Sequence, residues 1–405
     1  MANFILIAEQ VLSFIGLYVL VTIALDIKAG KTGIPDFGHA MFFAMGGIVV
    51  GNITAHLAAV LAATAIPRDV VQKTLGNMDL VTAVLADNAK AIKLLNTYYF
   101  PSHPLESILL VLVALVLSVL LGGVLGWLAS YPGLRLRGEY LAILLLATAE
   151  ALRIFVTYTT WIMGNTPTVG LSTPDLFAWT GDPGLAVTVF TLLVAIGVYI
   201  YAERLHNSPA GRLFRAVRDE EDAAKALGKD VAGVRRDAMI IGSAIAGLAG
   251  AIYALNPWYG GGAVAAESIF NRVWWTFWPW ALMILGGMAS NRGIALATSI
   301  VGVLLIWPIR IYKNQLTAAL HVEALGIDPG FFASALEYLL LGVLIILVLF
   351  LRPQGIIPEY ESKTLRFEEI ALNRGIPATP REPLIRKLLQ RKKQQEGERK
   401  QEKQA

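Results

Sequence analysis

The chain is built from long apolar runs joined by short polar links. A helix that crosses the hydrocarbon core of a bilayer needs about 20 mainly apolar residues. Nine stretches approach or exceed that length: residues 4–27, 37–66, 105–130, 140–163, 185–202, 238–258, 273–289, 294–312 and 335–351. The pattern predicts an all-α integral membrane protein, a polytopic bundle of about nine transmembrane helices, within a range of eight to ten. The second stretch is too long for one simple helix and contains Gly46, Gly47 and Gly51. It is expected to be broken, or to begin as a re-entrant segment. The first stretch has no basic region before it and no obvious small-residue cleavage site after it. It therefore reads as a retained span and not as a signal peptide.

Composition sharpens this picture. Of 405 residues, 56% are hydrophobic and 16% charged, against roughly 25% charged in a soluble domain. Cysteine is absent, which excludes disulfides, thiolate metal sites, iron–sulfur clusters and cysteine nucleophiles. A net charge of +4 suits nucleic acid or a membrane surface until the basic residues are located. Segment 204–236 holds eight Lys and Arg and the tail after Leu351 holds thirteen, out of 34; segment 164–184 holds none. These two segments, with the short links 28–35 and 131–138, fall on one side of a nine-span bundle. Basic short loops stay in the cytoplasm. The expected location is the cell membrane, with the N-terminus outside and the C-terminus cytoplasmic. Loops near 67–104, 164–184, 259–272 and 313–334 then lie outside. The charge orients a bundle and gives no support for nucleic acid. Residues 1–351 form the membrane domain, interrupted by the cytoplasmic segment 204–236, and 352–405 form a charged cytoplasmic tail. The tail reads as a solvated extension, although basic residues also suit anionic lipid.

Segment 204–236 carries the clearest local grammar. Ser208 is a good N-cap and Pro209 fits the first helical position. Asp219 is expected to cap a second, short helix, with carboxylates in its first turn matching the helix dipole. Gly228 suits the left-handed residue that ends it, and Asp230 caps the run into the sixth span. The short helix places Ala223, Ala224 and Leu227 on one small apolar face. Such a helix, tethered at both ends to membrane spans, suits protein docking; a merely solvated loop helix is the equal alternative.

The run Asp222-Ala223-Ala224-x-x-x-Gly228 resembles the E-A-A-x-x-x-G coupling helix of ABC transporter permeases, with Asp in the Glu place and without the usual I-x-L-P ending. The wider segment from Ser208 to Gly228 is similar to permease subunits of branched-chain amino acid ABC transporters, the LivH/LivM type. Phe37-Gly-His39-Ala-Met-Phe-Phe-Ala-Met-Gly46-Gly47, Leu134-Arg-Leu-Arg-Gly-Glu139-Tyr-Leu-Ala-Ile, Ala246-Gly-Leu-Ala-Gly250 and Arg352-Pro-Gln-Gly355-Ile resemble the LivM-like branch, in order, over roughly 30–360. Three stretches depart from that pattern: Ile34-Pro-Asp36 replaces the family's Gln-Leu-Ser, Asn165–Leu171 has a reduced glycine run, and the 67–104 insertion is long for the family.

The resemblance implies a permease subunit of an ATP-driven importer for branched-chain or other hydrophobic amino acids. It implies four kinds of partner: a LivH-like permease, two ABC ATPase subunits, an extracytoplasmic substrate-binding protein and membrane lipid. ATP and Mg would sit on the ATPases, with no cofactor in this chain. Asp219, Asp222, Ala223, Ala224, Leu227 and Gly228 are the expected ATPase-coupling residues. Urea or short amides remain alternative cargoes of the same architecture.

His39, Gly46, Gly47, Glu150 and Arg153 are the candidate pathway residues. The glycines either line a discontinuous second helix or serve as close helix-packing points. Glu150 and Arg153, three apart in the fourth span, share a face. They act either as a polar element of the path or as a bundle-locking pair. Segment 165–172 is either a contact for a binding protein or a plain connector. Trp274, Trp275, Trp278 and Trp280 are expected in an interfacial aromatic belt, or else form an aromatic gate.

No residue set suggests catalysis. Gly30-Lys31-Thr32 would end a phosphate-binding loop only if residue 25 were glycine, and Leu25 stands there inside a span. The chain is thus expected to be a transport subunit without its own ATPase site. An ion-coupled secondary transporter is the other class to weigh, and it would need membrane carboxylates such as Asp26 and Glu150.

Overall fold

The computed structural model describes residues 2–136, 138–164, 170–260, 263–303, 329–351 and 354–359, all within the unit Met1–Glu359. Residues 165–169, the end of the eighth expected span and nearly all of the tail lie outside the described residues.

Helix α1 (Ala2–Lys28) is buried almost without break from Ser13 onward. Helix α2 runs His39–Ala62. The expected break takes the form of a π-helical turn, Val49–Thr54, and the helix continues through it. Helices α3 (Pro104–Arg135), α4 (Glu139–Tyr158) and α5 (Pro183–Asn207) follow. Two short helices, α6 (Pro209–Asp219) and α7 (Glu221–Ala226), then lead into α8 (Val231–Leu255). After a turn-rich stretch come α9 (Trp278–Gly286), entered through the π-helical turn Val273–Phe277, α10 (Asn291–Val301) and α11 (Pro329–Leu351).

Six helices among the described residues are long and apolar enough to cross a membrane: α1 to α5 and α8. The π turn and α9 together make a shorter apolar segment, α10 leaves the described residues soon after Val301, and α11 has 23 residues.

Burial separates centre from rim. The apolar window of α8 is 78% buried, against 28–33% for α3, α4 and α5. Small residues make α8 central. A Cβ on Gly250 would strike the Phe43 carbonyl of α2, and one on Gly122 of α3 would sit 2.6 Å from the Ser243 carbonyl. Backbones approach this closely only where side chains are minimal. The rim helices expose Leu109, Leu112, Val116, Ile143, Leu193 and Ile196. An apolar bundle surface of this kind suits lipid or another membrane subunit.

At one end of the bundle, residues 67–104 are not a plain loop. Helices Arg68–Leu75, Leu80–Ala86 and Asn88–Leu94 bury Leu75, Val84, Ile92 and Leu95 in a cap. Asn88 Oδ1 accepts from Ser172 N at 2.5 Å and Asn96 Oδ1 from Asp175 N at 3.0 Å, tying in the segment after α4. Strand β1 (Leu171–Ser172) pairs antiparallel with β2 (Ala263–Val264).

Residues 263–272, part of the expected outer loop 259–272, pack along α2. A Cβ on Gly51 would strike the Val264 side chain, and one on Gly47 would sit 3.0 Å from Ile269. The tryptophans differ from expectation for the same reason. Trp278 and Trp275 are 0% and 5% exposed. Trp275 stacks on Phe43 with centroids 3.9 Å apart, and Trp280 stacks on Phe37 while donating to the Asp36 carbonyl. These rings fill the bundle and form no interfacial belt.

Candidate functional site

The basic end of the bundle carries the segment α6–α7. Ser208 Oγ accepts from Gly211 N at 3.1 Å and Asp230 Oδ1 from Gly233 N at 3.0 Å, so both caps sit where the sequence places them. Gly228 takes φ +72 and ends α7. Asp219 does not cap α7. It is the last residue of α6, and Glu220 holds the cap position in extended conformation without a side-chain bond. Arg218 draws Asp219 away, its Nε donating to Asp219 Oδ1 at 3.0 Å.

The expected apolar face of α7 is divided. Ala224 is buried against the bundle, whereas Asp222, Ala223 and Leu227 are exposed, Leu227 at 78%. An isolated leucine this exposed, beside an alanine and a left-handed glycine, leaves room for a second protein surface. Glu221 anchors the helix, bonding Lys225 at 2.7 Å and pairing with Arg235 of α8 at 2.9 Å.

Behind this segment lies a set of buried charges, mostly missed by the sequence reading. Lys28, Asp36 and His39 are each 0% exposed. The Lys28 ammonium pairs with Asp36, donates to His39 Nδ1 at 2.9 Å and lies 4.2 Å from the Phe42 ring centroid. His39 Nε2 then donates to the Val21 carbonyl at 3.2 Å. Burial alone would raise the pKa of Asp36; the Lys28 charge outweighs it and holds the carboxyl down to about 2. A second set surrounds Asp26. Its Oδ1 accepts from Ala289 N at 2.7 Å, where Ala289 has φ +62, and its Oδ2 lies 3.3 Å from Lys31 Nζ. Lys31 donates to Asn291 Oδ1 at 2.7 Å, and Asn291 donates to Glu203 of α5 at 2.9 Å.

Arg218 joins α6 to this core. It donates to the Gly30 carbonyl at 2.8 Å and to Glu359 at 2.7 Å. Its own burial would lower its pKa, but Glu359 and Asp219 raise it further above the ordinary value. The residues before Glu359 are pinned as well: Ile356 N donates to the Leu285 carbonyl and Ile357 N to the Gly286 carbonyl. Gly355, from the Arg-Pro-Gln-Gly motif, takes φ +78 against Gly287, where a side chain would be strained.

The candidate pathway residues do not form one site. His39 belongs to the Lys28–Asp36 set, Gly46 lies under Gly247 and Gly250 of α8, and Gly47 lies under Ile269. Glu150 and Arg153 do meet, on α4. Arg153 donates twice to Glu150 Oε1, at 2.9 and 2.6 Å. Arg272 adds its Nε 3.8 Å from Glu150 Oε2.

A model of the family described as "branched-chain amino acid transport system / permease component" matches residues 7–349. This chain belongs to that permease family. The permease is 35% identical over 356 residues to a probable branched-chain amino acid transport permease protein LivM of Methanocaldococcus jannaschii, covering 87% of this chain and 93% of the relative. It is 29% identical over 269 residues to the high-affinity branched-chain amino acid transport system permease proteins LivM of Salmonella typhimurium and Escherichia coli, covering 60% of this chain and 56% of each. No solved structure matches the permease. Its apolar helices and family make it a multi-pass membrane protein and a transport component.

Proposed function

We propose that this chain is a membrane-spanning subunit of an ATP-driven importer of branched-chain amino acids. Two cytoplasmic ATPases, a second LivH-like permease and an extracytoplasmic binding protein complete the assembly. The observation that carries the mechanism is α7. It is a six-residue helix held between α6 and α8, with one face fixed to the bundle and Ala223 and Leu227 presented outward. An ATPase docked on that face pushes a lever with short arms. Motion passes through Arg218 to the Gly30 turn between α1 and α2, and through Arg235 to α8. Spans so linked rock between outward-open and inward-open states as ATP binds and is hydrolysed. ATP and Mg belong to the ATPases. In this reading the basic end of the bundle is the cytoplasmic one, with α6 and α7 facing the ATPases and the 67–104 cap outside.

Ala223→Arg is the cleanest test, because Ala223 is exposed while a change at buried Ala224 would also disturb packing. The folded variant is expected to lose ATPase co-purification and at least tenfold of leucine uptake in proteoliposomes. Unchanged association and uptake would remove α7 from the coupling role.

A further inference from the structure

The Glu150 region is anomalous for a membrane helix. Glu150 lies eleven residues beyond the start of α4, about 16 Å along a helix about 30 Å long. It therefore sits near mid-membrane. Its side chain is 29% exposed, that of Arg153 32% and that of Arg272 47%. Glu267 lies close enough to add its field at Arg153. Each such charge facing lipid at this depth costs on the order of 2.5–3.5 kcal/mol. Two cations and two carboxylates exposed together must therefore face water or another polar surface. Glu267 lies in the short helical turn Ala266–Ile269 and Arg272 caps the π-helical turn Val273–Phe277, so the segment is a broken helix packed along α2, a form tolerated at membrane depth where it lines a cavity or is buried in protein.

The pairing within the cluster is uneven. Arg153 spends two hydrogen bonds on one oxygen of Glu150. Arg272 is the loose member, at 3.8 Å and half-exposed. Ile143 and Ile154 flank Glu150 on the same face of α4, 64% and 47% exposed. We propose that Arg272, Glu150 and Glu267 form a transit site for the zwitterionic head of an α-amino acid, resting on the importer reading above. The substrate carboxylate takes the free guanidinium edge of Arg272. The ammonium takes Glu150 or Glu267. A branched apolar side chain lies along Ile154 or Ile143. Arg153 is a positioning residue that holds the Glu150 carboxylate toward the site. A zwitterion matches the cluster's balanced charge, whereas urea or a neutral amide leaves both charge types unpaired.

The test uses the whole transporter in proteoliposomes, with leucine uptake and weak leucine binding by saturation-transfer NMR. Arg272→Gln is expected to lose at least tenfold of leucine binding and uptake while still co-purifying with the second permease. Arg272→Lys keeps both within about threefold. 3-Methylbutylamine, which lacks the carboxylate, binds wild type and Arg272→Gln alike. The site is overturned if Arg272→Gln binds leucine as wild type does, or if Lys fails as completely as Gln. It is also overturned if Arg272→Gln loses the second permease, which would make the cluster an interface lock. A wild-type transporter that takes up no leucine overturns the importer reading, and the site with it.

Discussion

Lys28 and Asp36 show how a residue's role depends on neighbours distant in sequence. Both are fully enclosed, and each is tolerable only because the other is there. Removing one partner of a buried ion pair typically costs about 3–5 kcal/mol, because it strands the other charge. Asp36→Asn is therefore expected to destabilise the detergent-solubilised protein by about that amount. Lys28→Met combined with Asp36→Asn should recover part of the loss, as read from unfolding midpoints. The pH dependence has a definite sign. The folded carboxyl of Asp36 titrates near 2 rather than its ordinary 3.8. Its stabilisation is complete above about pH 4 and falls away as pH drops toward 2. Asp36→Asn should remove that part of the acid sensitivity. Of this cluster, His39 and the replacement of Gln-Leu-Ser by Ile34-Pro-Asp36 were visible in the chain. That Asp36 answers Lys28 was not, because periodicity reports a face and not a partner. Local caps are different: Ser208, Gly228 and Asp230 act within three or four residues, and all three stand as read. Asp219 was misplaced because Arg218, its immediate neighbour, competes for the carboxylate.

Among the elements, the long helices were legible from length and apolarity alone, while their interruptions were not. The π turn in α2 leaves no sequence signature beyond its glycines. The packing of 263–272 along α2 depends on tertiary contact with Gly47 and Gly51. The four tryptophans resemble a belt by composition, but Trp275 and Trp278 become core and Trp274 and Trp280 half-buried because the segment Val273–Gly286 packs against the bundle. The glycines of the spans likewise divide by environment. A Cβ on Gly250 would meet the backbone of Phe43, while one on Gly197 in α5 would meet nothing within 4 Å. Gly250→Val should separate α8 from α2 and abolish folded protein on size exclusion. Gly197→Ala should instead raise stability by about 0.5–1 kcal/mol, since alanine restricts the unfolded chain and favours helix. Equal losses at the two positions would mean that helix packing does not set the tolerance.

For the molecule as a whole, Arg218 ties the proposed docking segment to the turn after α1, beside the Glu221–Arg235 pair that ties it to α8. Arg218 reaches both the Gly30 carbonyl and Glu359, and Gly30 lies in the turn that carries Lys31 and joins Asp26, in the last turn of α1, to Asp36. Through Asp26 and Lys31 that turn is bonded to Ala289, Asn291 and, beyond them, Glu203 at the end of α5. Displacement of α6 therefore acts on α1, α5 and α10 together. A longer, more flexible link would let ATPase motion dissipate in the loop. Arg218→Met keeps the bulk of the side chain and removes both bonds, leaving the exposed face of α7 intact. The ATPases should still co-purify in normal amount. Leucine uptake should fall at least fivefold, and ATP hydrolysis should lose its stimulation by the loaded binding protein. Glu359→Gln removes the ionic partner but leaves the Gly30 bond, so its effect should be smaller. If Glu359→Gln matches Arg218→Met, the tail contact carries the transmission and the Gly30 bond does not. If both variants transport as wild type, α7 is joined to the spans through the Glu221–Arg235 pair instead.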